Sequence, residues 1–423
     1  MLDIKFIREN TELVRQSLKN RSLKLDLDYL IKLDDKRRDI LSKLEELRAK
    51  RNKANDEISV LLKEKKDAKV KINSMKDISN QISRLDDEVK EADNELAGIL
   101  LTIPNVPHAS VPVGGPTKNT VARTWGDHPK FNFKPQNHID LAQNLDIIDF
   151  NRASKITGSN FILYKGWGAK LERALINFML DLHTSKHGYI EIFPPFLANR
   201  ASMLGTGQLP KMEEDMYKLK DDDLFLIPTA EVPLTNIFRD EILDEDKLPV
   251  YYAAYSACFR REAGTYGKDT RGLIRVHQFD KVEMVKFVKP EDSYAELEKL
   301  VNNAESVLQL LGLPYRVLML ATQDLSFAAS KCYDLEAYAP GLDRWLEVSS
   351  CSNFEGFQAR RANIRFRRKE NKKVDFAHTL NGSGIALART VAGILENYQQ
   401  EDGSVLIPKA LQPYLNGQER ISR

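Results

Sequence analysis

Apolar residues recur through the early part of the chain at spacings that alternate between three and four. Leu30, Leu33, Ile40, Leu44, Leu47, Ala54, Ile58 and Leu61 hold that rhythm, with Arg37 and Arg51 occupying two seam positions. Such a repeat draws one stripe along an α-helix and predicts a helix that buries a narrow seam. A second repeat, Met75, Ile78, Ile82, Leu85, Val89, Ala92, Leu96, Ile99 and Ile103, runs until Pro104, which cannot continue a helix. Two heptad helices joined by a short polar link, residues 63–74, are expected to fold back as an antiparallel coiled coil. At ~1.5 Å per residue each is roughly 45 Å or longer, so the hairpin is expected to project beyond a globular core.

Beyond Pro104 the pattern changes. A Pro- and Gly-rich run marks a linker, taken as residues 105–136. From about residue 137, apolar runs at 189–193, 224–228, 282–287, 315–320 and 345–349 have the length of strands, while 166–187, 294–311 and 386–399 read as helices. Strands and helices do not alternate regularly. The predicted class is therefore α+β, an antiparallel β-sheet flanked by helices with an N-terminal helical arm, and a doubly wound sheet is disfavoured. The expected organisation is an N-terminal domain at 1–104 with its arm at about 28–103, the linker, and a body at 137–423.

The 423 residues suffice for two or three domains. A net charge of +2 is nearly balanced, so nucleic-acid binding must be argued from local patches. One patch lies at the expected hairpin tip, where Lys63, Lys65, Lys66, Lys69 and Lys71 face only Glu64 and Asp67 nearby in sequence. A projecting hairpin serves equally as a spacer or dimerisation device. The run from Arg360 to Lys369 reads either as a second RNA contact or as alternating charge on a solvated edge strand. Cys258, Cys332 and Cys351 form no Cys-x-x-Cys pair and have no histidine at ligand spacing, so buried reduced thiols are expected and neither zinc nor a disulfide framework is. No apolar segment has the length of a signal core or membrane span, which makes a cytoplasmic protein the simplest expectation.

The candidate chemistry gathers in three places. Residues 258–284 read as two strands joined by a loop carrying Gly264, Gly267 and Gly272. On a period of two, Arg260 and Glu262 share one face, and Arg275, His277, Phe279 and Glu283 share another. That hairpin offers guanidinium forks for phosphate, an aromatic plate for a purine and carboxylates for amines, although cross-strand ion pairing on a solvated face would produce the same pattern. Further on, a strand through Glu347, Val348, Ser349 and Ser350 places Glu347 and Ser349 on one face, and a bend there would bring Ser350 beside Glu347 as hard oxygen ligands for Mg²⁺. Last, the segment from Asn381 through Ser383 to Arg389 reads as a Gly-rich turn entering an apolar helix.

In this order the three segments resemble the motifs of the class II aminoacyl-tRNA synthetases, and most closely those of the bacterial-type seryl branch. Motif 2 reads as Phe259-Arg260-Arg261-Glu262 with Arg275-Val276-His277-Gln278-Phe279, and motif 3 as the run from Gly382 to Arg389. Motif 1 reads as a helix at 171–187 and a strand ending in Pro194-Pro195. Thr229-Ala230-Glu231, by itself as readily a helix start, continues the likeness, which extends over essentially the whole chain. One departure is Ala388, where the class often carries Glu before the motif 3 Arg.

The resemblance implies a ligase that attaches L-serine to tRNA(Ser), with tRNA(Sec) a further candidate, in two steps through seryl-adenylate. It uses ATP and Mg²⁺, works as a homodimer and has no membrane partner. Arg260 and Arg389 are implied as catalytic residues. Arg260, Arg261, Glu262, Arg275, Val276, Phe279, Val348, Ser349 and Arg389 are implied to hold ATP together with Glu347 and Ser350, which would hold Mg²⁺. Thr229, Ala230, Glu231, Arg260, Glu283, Asn381 and Ser383 are implied to hold serine, with Thr379 nearby. The lysines of the arm tip are implied to meet the tRNA. Two rivals share these motifs: a paralogue that charges a carrier, and a noncatalytic RNA-binding protein on an inactive synthetase body.

Overall fold

The computed structural model describes residues 1–263 and 272–423, and it divides into two compact units, Leu2–Pro104 and Asn105–Arg423 with Met1. Two long helices dominate the first, α1 (Leu27–Lys63) and α2 (Lys69–Thr102). Asp26 caps α1 by accepting from the Tyr29 amide. Ile40, Leu44 and Ile82 form the buried centre of the seam, with Leu47, Ile78, Leu85 and Val89 packed beside them. Two short helices, Ile4–Glu9 and Thr11–Asn20, sit against the base of α1, where Arg8 reaches buried Asp34 at 2.5 Å.

The link is shorter than the sequence pattern predicts. The second helix begins at Lys69 rather than after Ser74, because the seam extends back through Ile72 to buried Ala68 and no Gly or Pro interrupts it. Lys69 and Lys71 therefore stand on helix α2. Arg37, at one of the seam positions, pairs with Asp93 of the facing helix.

The second unit is built on an eight-stranded sheet: β1 (Thr120–Trp125), β2 (Ile190–Glu191), β3 (Val250–Phe259), β4 (Gln278–Val288), β5 (Tyr315–Met319), β6 (Lys331–Ala339), β7 (Arg344–Asn353) and β8 (His378–Ala386). Their spatial order is β1-β5-β6-β7-β8-β4-β3-β2, and every pairing is antiparallel except β2 with β3. The stretch 105–136, read from sequence as a linker, supplies edge strand β1. Helices α3 (Trp167–Lys186), α4 (Glu231–Thr235), α5 (Ser293–Leu311) and α6 (Leu387–Asn397) accompany the sheet. Leu171 and Leu175 of α3, Leu300 and Leu308 of α5 and Val391 and Leu395 of α6 are fully buried against Val282 and Leu335. Each such side chain contributes roughly 1.5–3 kcal/mol, so one sheet face is committed to the core and the alternate residues are free for a site.

Two expectations about local structure are corrected. The Gly-rich segment from Asn381 is not a turn but the end of β8, with a register shift between Ser383 and Ile385. Gly384 is there because a Cβ would lie 2.5 Å from His183 Nε2 of α3. The run at 360–369 lies on no sheet edge: Arg365–Arg367 is the middle strand of a small sheet between Ile242–Asp244 and Val374–Phe376. Arg368 bonds Glu291 and Asp375, and Lys369 bonds Asp246 at 2.5 Å, so much of this charge is paired within the fold.

Candidate active site

The sheet face opposite α3, α5 and α6 lines a cleft of about 590 Å³. Phe279, Lys281 and Glu283 enter it as alternate residues of β4, while Val282 and Met284, on the other face, enter the core. Asn381 and Ser383 of β8 enter beside them, because Ser383 pairs directly with Glu283 across the ladder. Thr229 and Glu231 arrive at the start of α4, and Arg389 arrives from the first turn of α6.

The strand argument for the first hairpin is overturned in part. Strand β3 ends at Phe259, so Arg260 and Glu262 lie beyond it, and Glu262 has a left-handed backbone with φ +49. Both still line the cleft. Arg275 and His277 precede β4. Arg275 lines the cleft, but His277 turns away to bond Tyr217 at 2.7 Å and stack on Phe161. The loop glycines Gly264 and Gly267 lie outside the described residues. The chain returns at Gly272, where φ is +73 and a Cβ would lie 2.5 Å from His138 Nε2.

In the strand through Glu347, a bulge shifts the register between Glu347 and Ser349. Ser349 is thereby turned inward, donating its hydroxyl to the Ser383 carbonyl at 2.7 Å, and it does not share the face of Glu347 as the period of two predicts. Ser350 takes that place and pairs with Asp334 of β6. Burial, aided by the charge of Glu347, pushes the Asp334 carboxyl up to about 8, while a bond from Ser350 opposes the rise. Mutually repelling carboxylates beside a hydroxyl are a donor set that suits a hard divalent cation.

At one end of the cleft, Arg260 stacks over Phe279 with its guanidinium carbon 5.2 Å from the ring centre. Arg275 Nη1 contacts Glu262 Oε2 at 3.1 Å, and Arg389 donates to the Ile274 carbonyl at 3.0 Å and the Glu347 carbonyl at 2.7 Å. At the opposite end, Glu231 accepts from Gln358 Nε2 at 2.6 Å, and Gln358 Oε1 accepts from Thr379 at 2.7 Å. Burial first, then the charge of Glu283, pushes the Glu231 carboxyl up to about 7. Glu283 receives Asn381 Nδ2 at 3.2 Å, and Lys281 Nζ bridges Glu283 Oε2 at 2.5 Å and Thr229 Oγ1 at 2.9 Å.

The cleft thus gathers Arg260, Glu262, Arg275, Val276, Phe279, Glu347, Val348, Ser349, Ser350 and Arg389 with Thr229, Glu231, Glu283, Asn381 and Ser383. Two expected residues are not among its lining. Arg261 is exposed, and its amide bonds the Asp215 carbonyl. Ala230 is buried in a separate core with Leu234 and Phe287, because the helix start turns it away from Thr229 and Glu231. Sequence reading missed Lys281, Gln358 and Asp334. Lys281 was legible, standing midway between Phe279 and Glu283 on a period of two, whereas Gln358 comes from a separate helix, Phe357–Ala362, and carries no local signal.

Comparison with known proteins agrees with this architecture. Residues 216–398 match the model of the tRNA synthetase class II core domain (G, H, P, S and T), and residues 1–107 that of the seryl-tRNA synthetase N-terminal domain. The serine–tRNA ligase of Carboxydothermus hydrogenoformans is 58% identical over 422 residues, covering 100% of this chain and 99% of its own. That of Bacillus subtilis is 58% identical over 421 residues, covering 99% of each. The crystal structure of seryl-tRNA synthetase from Pyrococcus horikoshii complexed with ATP superposes with a TM-score of 0.94 at 40% identity, covering 100% of this chain and 99% of that one.

Proposed function

The chain belongs to the seryl-tRNA synthetases, in class II of the aminoacyl-tRNA synthetases, and from that footing we propose how its residues carry out ATP-dependent attachment of L-serine to tRNA(Ser). The observation that carries the reading is one cleft with two chemically different ends, a cation-rich, aromatic end and a buried carboxylate end.

At the first end Phe279 stacks one face of the adenine and Arg389 covers the other, while Glu262 accepts from the exocyclic amine. Arg260 and Arg275 receive phosphate oxygens. Because Arg275 is held by Glu262 and Arg389 by Glu347, ATP replaces internal partners rather than entering an unpaired cationic site. Glu347 and Ser350 fit Mg²⁺, which when bound supplies positive charge to the phosphates.

At the other end Thr229, Glu231, Glu283, Asn381 and Ser383 hold serine, with its ammonium and hydroxyl shared between the two carboxylates. A pocket whose polar groups are satisfied by a hydroxyl rejects alanine, which would leave them unpaired. The ionised serine carboxylate attacks the α-phosphorus, the bond to the bridging oxygen breaks, and pyrophosphate leaves with its electron pair. No general base is needed. Arg260 orients the carboxylate and takes up charge that spreads over the phosphate oxygens. In the second step a tRNA 3′-hydroxyl attacks the seryl carbonyl and AMP leaves.

The lysine tip of the arm supports contact with the tRNA backbone, and tRNA(Sec) is a further substrate on the same grounds. A homodimer is supported by Ile190 and Phe193 at the motif 1 edge, 59% and 76% exposed, and light scattering that returned a monomer mass would sink it. The test of the reaction is amino-acid-dependent pyrophosphate exchange into ATP with serine, threonine, alanine and glycine. Exchange with serine alone, lost in Arg260→Ala, is expected. A folded wild-type protein without serine exchange would overturn the reading.

A further inference from the structure

The buried end of the cleft holds two carboxylates, Glu231 and Glu283, yet a serine molecule brings only one ammonium. The difference is made up by Lys281. Its side chain is 7% exposed and that of Glu283 1%, and Nζ sits between Glu283 Oε2 and Thr229 Oγ1. Glu283 Oε2 thus has the Lys281 ammonium as its close partner, an ion pair enclosed at the end of the cleft. With Arg260 also lining the cleft, and with Glu231 ionised as an ammonium ligand requires, the occupied site contains two anions and two cations. A zwitterionic amino acid leaves that balance unchanged. An amino acid with a second ammonium adds an unmatched charge where water is excluded, and there the cost of an unpaired ion is large.

We propose that Lys281 is a specificity-determining residue that sets the charge of the amino acid pocket and so excludes L-2,3-diaminopropionate, the serine analogue with an ammonium in place of the hydroxyl. This analogue has nearly the volume of serine and donates hydrogen bonds at the same position. Neither shape nor hydrogen bonding rejects it, and two carboxylates without Lys281 would attract it. The inference rests on assignment of this end of the cleft to serine.

Pyrophosphate exchange with serine and with L-2,3-diaminopropionate, run at a pH low enough to keep both amines of the diamine protonated, separates the two claims. In the wild-type protein, kcat/KM for serine is expected to exceed that for the diamine by roughly 100-fold or more, the discrimination a mismatched buried polar group can support. Comparable values would overturn the charge argument without any variant. In Lys281→Met the ratio is expected to fall at least about tenfold through a gain for the diamine as well as a loss for serine. A merely structural lysine would lower both substrates together, and an unchanged ratio in a folded variant would overturn the proposal. Should Lys281→Met fail to give a cooperative thermal transition, Lys281→Gln, which keeps a donor toward Thr229, is read by the same ratio. Absence of serine exchange in the wild type would instead overturn the assignment of the pocket.

Discussion

The arm and the body solve the same problem, burying enough apolar surface to hold a shape, in opposite ways. The arm relies on one seam between two helices, and its flanks carry half-exposed pairs such as Arg37 with Asp93 and Arg48 with Asp86. The body buries a whole sheet face under three helices and even encloses ion pairs, as where Lys286, 1% exposed, meets Glu296 at 2.9 Å. The arm is therefore held by many small local terms and the body by fewer large ones made between residues far apart in sequence. A surface that meets a large, charged polymer tolerates the first design. A cleft that must hold carboxylates and guanidiniums at fixed separation in low dielectric requires the second.

The contrast breaks first at the buried ion pair. Lys286→Met leaves the Glu296 carboxylate without its enclosed partner, though Lys299 still reaches it from the surface, and is expected to cost the body about 3–5 kcal/mol in denaturant unfolding. A loss below 1 kcal/mol would place the body in the same regime as the arm. The next effect is on function. Replacing Lys63, Lys65, Lys66, Lys69 and Lys71 together by Gln is expected to lower aminoacylation kcat/KM by roughly tenfold to a hundredfold at physiological salt and to flatten its salt dependence. Serine-dependent exchange should be untouched, and parallel losses would end the division of labour.

A smaller effect sharpens the body's side. Glu231 has a folded-state value of about 7 against an ordinary 4.5, so the fold prefers its neutral acid. The stability this lends is fully present below about 4.5 and is lost as pH rises through about 7, while an ammonium ligand requires the ionised form. Ligand-free stability is therefore expected to fall between about pH 4.5 and 7, and serine KM to fall severalfold between about pH 6 and 8 as Glu231 ionises, and Glu231→Gln should flatten both trends. Amide exchange in the arm should not follow. The smallest expected effect belongs to the arm: a double-mutant cycle on Arg48 and Asp86 is expected to return ~0.2–1 kcal/mol, screened by salt, and a value above 2 would mean that surface pairs bear the hairpin.

What the sequence determined by itself is whatever depends on near neighbours. A heptad repeat is its own evidence for a helix pair, and the seam through Ile40, Leu44 and Ile82 follows from spacing alone. The same holds for Phe279 and Glu283, which share a face of one strand, and the motif order sufficed to identify the family. Tertiary structure decided what depends on register and crossing. Strand β8 counts as a strand because Gly384 fits against α3, Gly382 fits against Cys351 and Leu300, and its backbone pairs with β4 and β7, and no local propensity announces that. The bulge that exchanges Ser349 for Ser350 is set by pairing with β6, and the contact of Gln358 with Glu231 joins residues from separate helices. The physical reason is that side-chain direction within an element follows from its period, whereas the meeting of two elements is fixed only when both are packed on a common core.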